Sequence, residues 1–154
     1  MRTGRGAFST AAQQDLMEQT MAIIASMMEQ AARDALLYTA EARRTVVMPR
    51  DIELALKRIV LPGSAYWKRD DLSEDTKRIR ADLFDSSTSS DSESDESWVL
   101  ELPPDEAWTE TAQSALTREM NAAPAKFEDW NPDIPFMQAL KRAVISATQS
   151  ISAS

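Results

Sequence analysis

The chain has 154 residues, 17 Lys/Arg against 25 Asp/Glu for a net charge of −8, and neither cysteine nor histidine. That length fits one domain with some additional chain. The missing residue types exclude disulfides, thiolate nucleophiles, Cys- or His-built metal sites and the commonest general base. There are only three glycines, the last at Gly63, so no Gly-rich phosphate loop can form. The expectation is a protein that is not an enzyme, with no cofactor, no metal and no small-molecule substrate.

The charge is unevenly spread. Residues 1–69 hold ten basic and seven acidic residues, 134–154 two basic and none acidic, and 70–133 five basic and eighteen acidic. Two weakly basic ends flanking an acidic middle suggest a nucleic-acid or partner surface joined to an acidic segment. No apolar run approaches the ~20 residues of a membrane-crossing helix. The basic start, Met1 to Gly6, is not followed by the apolar stretch of a signal peptide. A soluble, intracellular protein with no membrane partner is expected.

In chain order, Ala11 to Arg43 contains neither Pro nor Gly. Its apolar residues recur at steps of three, four and seven, which predicts a helix, with Ser9 and Thr10 as candidate caps. At 1.5 Å per residue this helix is roughly 45 Å long, more apolar surface than one short neighbour covers. The run Thr45-Val46-Val47 predicts a short extended loop. Pro49, with Met48 extended before it, suits the first turn of a second helix. That helix runs to Ile59, buries Ile52, Ala55, Leu56 and Ile59, and stops at Leu61-Pro62-Gly63. A weaker helix is expected over Leu72–Phe84.

Residues 86–97 are Ser, Thr and acids only, and cannot bury enough surface to offset chain entropy. Beyond them Trp98, Trp108 and Trp130 are interleaved with acids and prolines, with a short helix expected over Asp105–Ala122. From Ile134 to Thr148 the pattern is again amphipathic, with Phe136, Met137, Leu140 and Val144 on one face and Lys141 and Arg142 toward the other.

Residues 29–58, including Arg33-Asp34-Ala35, Tyr38-Thr39, Val47-Met48-Pro49-Arg50-Asp51-Ile52 and Ala55-Leu56-Lys57-Arg58, resemble the eukaryotic core histones over their long central helix, second loop and third helix. The likeness is mixed, drawing on more than one core-histone type. Leu61-Pro62-Gly63 followed by Ser73-Glu74-Asp75-Thr76-Lys77 resembles a further type that adds a C-terminal helix. The resemblance implies an all-α histone fold. It also implies an internal ion pair between Arg44 and Asp51, seven residues apart, pinning the loop to the third helix.

The chain departs from the family in having too few residues before the long helix to supply the usual first one. Pro135 to Val144 resembles that first helix, and Ser150-Ile151-Ser152 the loop that follows it. Either the fold is circularly permuted, or the chain is part of a fused, viral-type histone doublet. A third alternative makes the last helix an amphipathic partner-binding element. The expected organisation is a histone-fold core over 1–63 and a C-terminal histone-like helix over 64–85. An acidic, largely disordered linker with its tryptophans follows over 86–133, and the candidate first helix over 134–154.

The resemblance also implies a function. Histone folds pair through their long helices, here through Leu16, Ile23, Ile24, Met27, Met28, Ala31, Leu36 and Tyr38, with Ile52 and Leu56 from the next helix. The partner is another histone-fold chain, in a homo- or heterodimer. DNA is contacted at its phosphates, here by Arg2, Arg5, Arg43, Arg44, Thr45, Lys141 and Arg142, without sequence reading. Trp98, Trp108 and Trp130 among acids resemble the segments with which histone chaperones cover such surfaces, so 86–133 is expected to fold back and compete with DNA. The expected location is chromatin in a nucleus, or a virion. The other reading is a histone-fold subunit of a transcription, kinetochore or chaperone complex with little DNA contact of its own.

Overall fold

A computed structural model describes residues 5–85 and 106–153, with side-chain surroundings from Thr10 to Ile151. Every regular element among the described residues is helical: α1 (Arg5–Glu41), α2 (Pro49–Val60), a 3-10 turn (Ala65–Lys68), α3 (Leu72–Arg80) running into a π turn (Ala81–Asp85), α4 (Ala115–Asp129) and α5 (Pro135–Ala153). The fold class is all-α. The chain divides into two compact units, one of residues 1–26 and 69–98, the other of 27–68 and 99–154.

At 37 residues α1 begins earlier than Ala11, because nothing before Pro49 forces a break. Its end is specific. The Arg44 N–H donates to the Thr39 carbonyl and the Arg43 N–H to the Ala40 carbonyl, each at 3.0 Å, with Arg43 at φ 58°. This is a Schellman cap with arginine where glycine is usual. Gly63, by contrast, has no positive φ. The chain leaves α2 through an extended Leu61 and then Pro62, while Ser64 returns its hydroxyl to the Ile59 carbonyl at 2.7 Å. Pro62, not a left-handed glycine, therefore ends α2.

In the first unit, the described residues are the N-terminal part of α1 and the segment 69–85. Ala22 and Ile79 are buried. Around them charges interlock: Arg80 pairs with Asp15 and Glu18, Ser26 donates to Asp75 at 3.2 Å, and Arg78 and Arg69 also reach Asp75. Two of these ion pairs, Arg80–Asp15 and Arg78–Asp75, are exposed and worth about 0–1 kcal/mol each; the other two are part-buried. Leu16 is 64 % exposed, and Met17 and Met21 each 47 %; Ile24 is also exposed. Met17, Met21 and Ile24 follow at steps of four and three, on one helical face.

In the second unit, α2 packs against α4 and α5. Its core is Tyr38, Leu54, Ala55, Leu56, Ile59 and Val60, with Met120, Ala123 and Phe127 from α4 and Leu140 and Val144 from α5. Leu54 and Val60 join the expected inward residues of α2, while Ile52 is half-buried. Arg58 of α2 reaches Asp34 of α1 and Glu119 of α4, both at 2.9 Å.

Two expectations are corrected. The acidic stretch 86–133 is not linker throughout: 106–133 contain α4, which starts at Ala115 rather than Asp105. Ser114 fixes that start, accepting from the Thr117 N–H at 3.2 Å while the Thr117 hydroxyl oxygen accepts from the Ser114 N–H at 3.2 Å. Burial of Met120, Ala123 and Phe127 then carries the helix past Ala122 despite Pro124. Ser150-Ile151-Ser152, expected as a loop, continues α5. The disorder expected over 86–97 lies outside the described residues.

Relieving the left-handed arginine should stabilise the chain. Arg43→Gly is expected to gain about 0.5–1 kcal/mol in urea unfolding, because glycine adopts this φ without a Cβ clash.

Candidate functional site

The second unit holds the best-defined polar cluster, where the loop 42–48 meets the start of α2. Asp51 stands at the third position of α2 and is fully buried, and Arg44 beside it is 8 % exposed. The guanidinium grips the carboxylate at both nitrogens, Nη1 to Oδ2 at 2.8 Å and Nη2 to Oδ1 at 2.6 Å. Three further donors converge on the same carboxylate: the Thr39 hydroxyl at 3.1 Å, the Met48 N–H at 2.8 Å and the Trp108 indole Nε1–H at 3.0 Å. Burial pushes the Asp51 carboxyl up, but the Arg44, Met48 and Trp108 bonds outweigh it and hold the carboxyl below its ordinary value. Arg44 Nη1 also reaches the Val46 carbonyl at 3.2 Å, which holds the loop over the pair.

A strap of residues 106–114 lies over this cluster. Trp108 stacks near-parallel on Tyr38 with ring centroids 6.2 Å apart, and the Arg50 guanidinium lies 6.0 Å from the indole. The Tyr38 hydroxyl accepts from the Thr111 N–H at 3.2 Å and donates to Asn121 at 2.7 Å. The Glu106 carboxylate takes both donors of Thr45, the N–H at 3.0 Å and the hydroxyl at 2.7 Å. At the far end, the Glu41 carboxylate accepts from the Thr111 hydroxyl at 2.8 Å, the Ser114 N–H at 3.0 Å and the Gln113 N–H at 3.2 Å. A carboxylate at the start of α4 is also favoured by the helix dipole. The Thr117 hydroxyl foremost, then Ser114, Thr111 and the Gln113 N–H, hold the Glu41 carboxyl down at about 2.

The residues singled out from the sequence are sorted by this geometry. Arg44, named as a phosphate contact, is buried with both Nη atoms on Asp51, so it serves the loop and is not open to DNA. Arg43 is exposed, whereas both donors of Thr45 are taken by Glu106. Lys141 donates to the Trp130 carbonyl and lies 5.3 Å from the Phe127 ring centroid; Arg142 is exposed. Of the acidic-segment tryptophans, Trp108 is in the cluster and Trp130 caps α4 against Phe127 at 6.1 Å. Arg2 and Trp98, and the side-chain surroundings of Arg5, lie outside the described residues.

The expected dimer stripe also divides. Met27, Ala31, Tyr38 and Leu56 are buried by this chain itself, so they are not open to a partner. Ile23 and Ile52 are half-buried, and Leu16, Ile24, Met28 and Leu36 are exposed. The residues that sequence reasoning missed are Glu41, Glu106 and Thr111. For Glu106 and Thr111 the only local signal was the polar character of the segment around Trp108; Glu41 stood at the end of α1 as an ordinary helix-terminal acid. Compared with family models, with curated proteins and with solved structures, the chain matches none.

Two measurements check this description. Arg44→Ala leaves a buried carboxylate without its cation and is expected to cost about 3–5 kcal/mol in urea unfolding. Arg44→Lys, a point charge in place of the planar fork, should recover part of that loss. The Asp51, Glu106 and Glu41 carboxyls lie below their ordinary values. Their stabilisation is therefore complete above the unfolded values, near 4 to 4.5, and is lost as pH falls through the folded ones, for Glu41 to about 2. Asp34, raised by burial, acts with the opposite sign. The midpoint of thermal unfolding should therefore fall between about pH 4.5 and 2, and Glu41→Gln should flatten the most acidic part of that fall.

Proposed function

We propose that this chain is a core-histone-like, histone-fold protein that pairs with another histone-fold chain and binds DNA through phosphate contacts without sequence reading. The observation that carries the proposal is the helix–loop–helix of residues 29–58, its loop pinned by the buried Arg44–Asp51 pair. The apolar face of Met17, Met21 and Ile24, exposed in the first unit, supports a pairing role. Covering such side chains is worth ~25 cal/mol per Å² of apolar area, and methionines adapt to a partner's shape. Under this reading α5 supplies the helix that such a fold carries before its long one.

A second reading has its own observation. The Glu106 carboxylate and Trp108 cover the loop from which phosphate contacts are expected, on a strap held at its far end by Glu41. That favours a histone-fold subunit of a transcription, kinetochore or chaperone complex, paired in the same way but touching little DNA.

The pairing is tested by sedimentation of the purified chain, alone and mixed with purified core histones. A stable dimer is expected in one of the two samples, weakened at least tenfold by Met21→Asp with Ile24→Asp. A monomer in both samples at high micromolar concentration overturns the proposal. Nuclease digestion of DNA in the presence of the paired chain then separates the two readings: a protected fragment supports the first, and complete digestion the second.

A further inference from the structure

Glu106 makes no ion pair with the loop it covers; it is held by uncharged donors. Its two oxygens accept the Thr45 N–H and the Thr45 hydroxyl, one each. A backbone N–H and a hydroxyl of one residue, aimed together at one carboxylate, form an oxyanion-binding turn, an arrangement that suits a phosphate group as well as a carboxylate. The loop is held rigid from beneath, because Arg44 ties the Val46 carbonyl to the Asp51 carboxylate. Two residues before Thr45 stands Arg43, exposed and with a left-handed backbone, while Arg50 at the start of α2 lies over Trp108 and pairs with Glu53 at 3.0 Å. The site therefore presents directional donors with a cation close in sequence, a combination by which proteins hold a phosphodiester without reading bases.

The occupant of this site is part of the chain, and the way it is delivered is specific. Trp108, two residues on, is fixed twice, by its bond to Asp51 and by its stack on Tyr38. Farther along, Thr111, Gln113 and Ser114 are held by Glu41. A carboxylate tethered in this way acts at a high effective concentration, so a modest intrinsic affinity suffices to fill the site.

We infer that the Thr45–Val46 turn is a phosphodiester-binding site and that Glu106, carried on the strap 106–114, is its built-in competitor. This deepens the proposed DNA-binding reading and rests on it for the identity of the ligand. A nucleic-acid phosphate displaces the Glu106 carboxylate, and the strap stays tethered through Trp108 and Glu41. The chain then binds nucleic acid weakly until Glu106 is removed, and the affinity released is strongly salt-dependent.

The test uses the full chain, wild type and Glu106→Ala, with the Thr45 amide and the Trp108 indole N–H followed by nuclear magnetic resonance. The probes are inorganic phosphate and a short DNA duplex at low salt. In Glu106→Ala both probes are expected to shift the Thr45 amide, and duplex affinity should rise about fivefold over wild type. Glu106→Gln, which keeps one acceptor without the charge, should fall between. If the Thr45 amide moves with neither probe and duplex affinity equals that of wild type, the site is refuted, while any duplex binding that persists leaves the DNA reading standing. If phosphate shifts Thr45 but the duplex does not bind, the oxyanion site stands and the DNA reading falls. A readout without substitution guards against misfolding of the variants: saturating the wild-type chain with duplex should move the Thr45 signal while the Trp108 indole N–H keeps its bond to Asp51, and binding that leaves Thr45 unmoved overturns the proposal.

Discussion

A single buried carboxylate organises the second unit. Asp51 collects five hydrogen bonds from four residues, and each donor comes from a different stretch of chain: Thr39 from the end of α1, Arg44 from the loop, Met48 from the cap of α2 and Trp108 from the strap. An ionised carboxylate in a water-excluded position is costly unless paired and saturated with donors. Here both conditions hold. The cost of leaving any donor out ties these segments to one arrangement, which is how a polar group in a core contributes specificity even where its net stabilisation is small.

From that point the rest of the unit follows. Because the loop is clamped at Arg44, the left-handed turn at Arg43 persists without glycine. Because α2 starts where Asp51 can reach back to the Met48 N–H, its apolar residues face α4 and α5. Tyr38 joins the apolar and polar halves of the arrangement, its ring under Trp108 and its hydroxyl shared between Thr111 and Asn121. The first unit is built differently. Its described residues bury little beyond Ala22, Ser26 and Ile79, and exposed or part-buried ion pairs surround them. Such pairs orient helices more than they stabilise them.

Part of the acidic middle of the chain belongs to the fold: among the described residues, Glu106 is matched to the two donors of Thr45 and Glu119 to Arg58. Glu41 works in the reverse direction, a carboxylate of α1 capping the start of α4. The donors of the Thr45 turn and of the start of α4 are in this way filled by the chain's own acids.

The sequence by itself determined what depends on neighbours along the chain. Helical spacing located α1, the loop and α2, because the period of apolar residues is set by backbone geometry. Pro49 and Pro62 marked a start and a stop, since proline lacks an N–H. The Arg44 to Asp51 spacing was legible for the same reason: a short loop leaves these two side chains within reach. What tertiary structure alone decided was which side chains are covered and by what. Leu36 and Tyr38, two apolar residues of one helix, end up exposed and buried, because α4 approaches from 83 residues away to bond Tyr38 and nothing among the described residues covers Leu36. The seat of Glu106 on Thr45, 61 residues away, depends on a pairing that no local pattern encodes. A hydrogen bond across that separation is specified by the fold as a whole, so its partners appear in the sequence only as ordinary polar residues.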